Sequence, residues 1–98
     1  MDGRDAYIEL MQAILNKIKQ IIGLKRAVKF ARNAKSVQIS DNGVVLSYKG
    51  DPVKALEELV AQYEKIAGAV ALMFCRQAIE PLLEKYPSIK LPEKLIKK

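Results

Sequence analysis

Ten consecutive residues, Ile66 to Cys75, put no polar side chain on any face of a helix, and they lie inside the longest helical pattern of the chain, Asp51 to Glu80. A helix that is apolar all round needs cover all round. Ten residues are about half of the roughly twenty that cross a bilayer, so the run predicts a buried core segment and no membrane span. The start of the pattern is well marked. Gly50 permits a turn, Asp51 can accept bonds from the first free amides, and Pro52 at the first helical position loses no hydrogen bond. Val53, Leu56, Leu59, Val60, Tyr63, Ile66, Ala67 and Val70 then recur at steps of three and four, with Lys54, Glu57, Glu58, Gln62, Glu64 and Lys65 on the other side. Gly68 inside such a helix costs about 1 kcal/mol relative to alanine. With Ala67, Ala69 and Ala71 it would let another backbone approach closely, from this chain or from a second copy. Pro81 predicts a break near Glu80 and a short helix from Pro81 to Tyr86.

Upstream, Tyr7, Leu10, Met11, Ile14, Ile18, Ile21 and Ile22 form one stripe of a helix from about Asp5 to Ile22, closed by Gly23. A second, strongly basic helix is expected over Leu24 to Ala34. SVQIS and VVLSYK flank Asp41-Asn42-Gly43 and read as a β-hairpin. A two-residue Asn42-Gly43 turn would pair Asp41 with Val44, Ile39 with Leu46 and Val37 with Tyr48, leaving Val45 on the mostly polar face. The expected fold is thus α+β and mostly helical, in the order α-α-β-β-α-α, with a β-hairpin and one long central helix. It forms a single domain over 1–98, with residues 1–4 and 93–98 flexible. Ile14, Ile18, Ile22, Val28, Ile39, Leu46, Leu56, Leu59, Tyr63, Val70 and Phe74 are the expected core.

Half of the 98 residues are hydrophobic. In a chain this small, that implies either a very full core or apolar surface covered by a partner. The net charge of +6 would welcome nucleic acid, an anionic membrane or an acidic protein without specifying one. A single cysteine, Cys75, excludes a disulfide framework and suits a reducing compartment. The N-terminus shows no secretion signal, so a cytoplasmic protein is expected.

Little here suggests catalysis. Histidine, the commonest general base and metal ligand, is absent. Glu57 and Glu58 are adjacent and point apart, the serines near the hairpin have no activating base, and the glycines form no phosphate loop. Arg76 could pair with Glu80 one turn on. No catalytic residue, cofactor, metal or membrane partner is expected. The leading expectation is a small, non-enzymatic interaction or regulatory protein that self-associates as a homodimer, through the hairpin edge or the Ile66 to Cys75 segment. Its candidate self-association residues are Ala67, Gly68, Ala71, Met73 and Val45. One alternative is a nucleic-acid-binding protein with Lys25, Arg26, Lys29 and Arg32 on phosphates. Another is a small apolar ligand held between the first helix and the long one.

Gly68, Ala69, Val70, Ala71, four further apolar residues and then Arg76, Gln77 and Ala78 resemble a short helical pattern of glycine, proline, isoleucine, alanine and later arginine and alanine. That pattern recurs in small helical modules of prokaryotic signalling and uncharacterised proteins. Ala69 stands where proline is usual. The resemblance covers about a fifth of the chain and implies an interaction or regulatory module, with no catalytic residues to carry over. In its richness in Lys, Glu and Ile the whole chain is similar to small archaeal conserved proteins of unknown function.

Overall fold

A computed structural model of the chain describes residues 3–96; the expectation of loose ends at residues 1–2 and 97–98 lies outside the described residues. The elements run α1 (Gly3–Ile22), α2 (Leu24–Ala31), β1 (Val37–Ile39), β2 (Val45–Tyr48), α3 (Pro52–Ala67), α4 (Ala69–Lys85) and a 3-10 turn (Glu93–Leu95). The α+β, mostly helical order is therefore as expected. The spine is different. It is α1 that packs against α2, α3, α4 and β2, because its wide apolar face puts Leu10, Met11, Ile14 and Leu15 out of reach of solvent.

The long central helix is broken at Gly68, whose φ of 58° and ψ of −135° side chains rarely adopt. Gly68 ends α3 with a 2.7 Å bond from its amide to the Glu64 carbonyl, and its own carbonyl accepts from Ala71 at 3.0 Å. The reason for the break is dimensional. A straight helix of thirty residues would be about 45 Å long, whereas the longest extent of the molecule is 32 Å. Folding α4 back on α3 brings Leu56, Leu59, Val60 and Tyr63 into one core with Ala71, Cys75 and Ile79. It also leaves the ten-residue apolar run only partly covered, with Ile66, Val70 and Met73 close to half exposed around the corner.

No break occurs at Glu80. Helix α4 continues through Pro81 to Lys85. Gln77 and Pro81 are both exposed, so water can take the carbonyl that proline leaves without a donor. Helix α2 stops at Ala31, short of Ala34, and Asn33, Ala34 and Val37 donate to carbonyls three residues back in a run of tight turns.

The hairpin register also differs. Ser40 N–H donates to Val44 O at 2.9 Å and Gly43 N–H to Ser40 O at 3.0 Å, so the loop holds three residues and Gly43 takes the left-handed position at φ 81°. The longer loop shifts the pairing by one, and Ile39 stands opposite Val45. A bulge at Leu46 restores Val37 opposite Tyr48. One residue of shift reverses the faces. Val45 is buried, and Leu46 is 57% exposed. Among the expected core residues Val70 is exposed as well, and Ile22 and Phe74 are half-buried.

Two side chains tie the hairpin and its approach to the helices. Gln12 Nε2 donates to Gly43 O at 2.9 Å, while its Oε1 accepts from Val45 N–H at 2.8 Å. The Glu58 carboxylate accepts from Ser36 N–H at 3.3 Å and Ser36 Oγ at 2.8 Å. Truncating Gln12 would leave both hairpin groups without their partner, which costs about 1–3 kcal/mol for groups removed from water. Gln12→Ala is expected to speed hydrogen exchange at Val45 well before it affects amides in the middle of α1.

The C-terminal segment is held down where a loose tail was expected from residue 93. Leu95 is buried, Lys94 pairs with Glu64 at 2.8 Å, and Tyr7 Oη donates to Lys90 O at 2.7 Å. Lys85 and Tyr86 both bond to Glu9, closing the end of α4 against α1; they hold the Glu9 carboxyl below its usual range.

Candidate interaction surfaces

Two exposed faces of the described residues carry candidate interaction chemistry. The first is the outer side of α4. Together with the 3-10 turn it forms a groove of about 760 Å³, lined by Leu72, Met73, Arg76, Glu80, Leu83 and Ile96 among others. Arg76 builds its wall, donating from Nε and Nη2 to Lys94 O at 3.1 and 2.8 Å. A guanidinium after ten apolar residues thus anchors the C-terminal segment. Met73 and Ile96 in this lining, and Val70 one turn before Met73, are each nearly half exposed.

The second face is basic. Helix α2 buries Ala27, Val28 and Ala31 and leaves Lys25, Arg26 and Lys29 in solvent. Beside them a depression of about 420 Å³ is lined by Lys25, Val28, Lys29, Arg32 and Asp41. Arg32 is already engaged. It pairs with Asp41 and donates to Ile39 O at 3.2 and 3.3 Å, bracing the hairpin loop against α2. The charge is strongly segregated. Seven of the seventeen lysines and arginines fall between residues 10 and 40, where no acidic residue occurs, so that segment carries +7 and the rest of the chain −1.

Burial pushes the Cys75 thiol up to about 12, which leaves it protonated and unreactive at neutral pH. Burial likewise raises the Tyr63 phenol, whose hydroxyl donates to Ala27 O at 2.9 Å. Among the described residues no group of three potential metal ligands comes together. No described helix is long and apolar enough to cross a membrane.

The expected self-association residues divide. Ala67, Gly68 and Met73 are exposed, but Ala71 and Val45 are buried in the single chain and cannot reach a partner. Ala71 faces inward because the Gly68 bend turns α4 onto the core, and Val45 because of the hairpin shift. Of the expected phosphate ligands, Lys25, Arg26 and Lys29 remain together and Arg32 is held by the loop. Neither groove lies between α1 and α3, where an apolar ligand was considered. Three residues went unnoticed in the sequence. Ile21 belongs to the expected stripe of the first helix, Leu24 to the expected second helix and Val44 to the expected second strand, and all are exposed. The charge asymmetry around them was legible and would have drawn attention to that corner. Comparison with known families, curated proteins and solved structures found no match.

Proposed function

We propose that the protein is a non-enzymatic, cytoplasmic interaction protein that works as a homodimer paired through α4. The observation that carries this reading is the order of side chains on the exposed face of that helix: Met73, Arg76, Glu80 and Leu83. An isologous pairing brings the same patch of both copies together about a two-fold axis. With two α4 helices antiparallel and the axis near residue 78, Met73 falls opposite Leu83 of the second copy, and Arg76 opposite Glu80. Apolar meets apolar and cation meets anion. The adjoining apolar side chains Val70 and Ile96 would extend the contact. In the reducing cytoplasm the buried Cys75 would stay a free thiol.

Sedimentation at tens of micromolar protein tests the pairing. Wild type is expected at twice the chain mass. Met73→Asp, at a position already half exposed, should shift the equilibrium to monomer with the helical circular dichroism unchanged. Glu80→Lys places like charges across the axis and should weaken dimerisation about tenfold or more. A wild-type monomer at these concentrations rejects the reading, as does a dimer indifferent to both changes.

A further inference from the structure

We infer that the corner where α1 meets α2, closed by the hairpin loop, docks on the surface of an anionic lipid bilayer. The absence of a spanning segment does not bear on this, since an interfacial contact needs only apolar side chains at the headgroup level and cations around them.

Both are present at this corner. Ile21, Leu24 and Val44 expose 47%, 38% and 48% of their surface. Ile21 is in the last turn of α1 and Leu24 in the first turn of α2, on either side of the Gly23 bend. Leu24 also lies against the hairpin loop: a Cβ placed on Gly43 would be 2.8 Å from its Cδ1. Val44 is the next residue. Within five residues of Ile21 or Leu24 along the chain come Lys19, Lys25, Arg26 and Lys29, all exposed and, among the described residues, none in an ion pair. Asp41, which lines the depression beside Lys25 and Lys29, is paired with Arg32. Four of the seven cations of residues 10–40 thus fall in the same short stretch of chain as two of the exposed aliphatic side chains.

That combination favours lipid over nucleic acid. A phosphodiester backbone would use the same cations and gain nothing from isoleucine, leucine and valine. Single-stranded nucleic acid would use stacked aromatics, yet every phenylalanine and tyrosine here is at least half-buried. An anionic bilayer uses both components, because aliphatic groups enter the acyl boundary while each nearby cation strengthens binding about fivefold.

Flotation with phosphatidylcholine vesicles, with and without 30% phosphatidylserine, tests the inference on the whole protein. Binding is expected to the anionic vesicles alone. Lys25→Gln, Arg26→Gln and Lys29→Gln combined should weaken it about a hundredfold. Ile21→Ser with Val44→Ser, at exposed positions, should weaken it about tenfold at unchanged charge and unchanged circular dichroism. No binding to anionic vesicles overturns the inference. So does an apolar double variant that binds as tightly as wild type, which would reduce the corner to a polyanion site. Tighter binding to mixed-sequence duplex DNA or RNA than to vesicles, unaffected by the Ile21 and Val44 changes, would transfer the surface to nucleic acid. Because Met73→Asp leaves this corner untouched, failure of the dimer would not by itself remove vesicle binding.

Discussion

Gly68→Ala is expected to destabilise the protein by about 1–3 kcal/mol, the range for holding a side-chain-bearing residue in a sparsely populated backbone region. The sign is what makes the substitution informative. In a continuous helix from Asp51 to Glu80, alanine at 68 would add about 1 kcal/mol of stability through helix propensity. At the observed corner φ is 58°, and propensity no longer decides. A Cβ built at this position meets nothing within 4 Å, so no steric clash with other parts of the molecule contributes, and the loss is purely one of backbone conformation. For a domain of this size each kcal/mol corresponds to roughly 4–8 °C in Tm. Thermal unfolding by circular dichroism should therefore show a clear drop. An increase in Tm would mean that α3 and α4 are one helix in solution. That outcome would also remove the basis for placing Val70 and Met73 on the surface.

Why Gly68 was read as a cost inside a helix and not as a corner follows from what periodicity can carry. The apolar steps from Val53 to Val70 fit a helix on either side of the bend, and the side-chain pattern alone does not distinguish one long cylinder from two short ones folded together. Compactness does. The α3 start was legible because Asp51 and Pro52 act locally: the Asp51 carboxylate accepts from Val53 N–H at 2.9 Å. The hairpin's existence was equally legible from Asn42-Gly43. Its register was not, because a two-residue and a three-residue loop use the same glycine, and the difference decides whether Val45 or Leu46 enters the core. Gln12 settles that choice in space, bonding to Gly43 and Val45 from more than thirty residues away. The candidate surfaces inherit these gaps. Met73, Lys25, Arg26 and Lys29 were named from the sequence and are exposed. Val45 and Ala71 were lost to the two backbone details, and Val44 became visible through the hairpin shift.

Stability is expected to fall steeply on the alkaline side, beginning near pH 9. The Cys75 thiol has an ordinary pKa of 9.0 and burial raises it in the folded protein to about 12. A group with a raised folded-state pKa contributes its stability in full below the unfolded value and loses it as pH rises toward the folded one. From pH 9 the unfolded chain releases a proton that the native state retains, so unfolding becomes easier, at a rate that rises toward about 1.4 kcal/mol per pH unit. Above pH 10 Tyr63 joins in the same direction, since burial raises its phenol from an ordinary value of 10.0. By pH 11 the two buried groups together remove about 4 kcal/mol, a large part of the roughly 5–15 kcal/mol that holds a typical domain together. The interval from pH 9 to 10 isolates the cysteine. Cys75→Ala should start from lower stability, because it loses packing at a fully buried position, yet stay nearly flat across that interval while wild type declines. Urea midpoints at pH 8, 9, 10 and 11 for both proteins give the comparison. Parallel declines between pH 9 and 10 would show that Cys75 is not the group responsible and that its thiol is open to water.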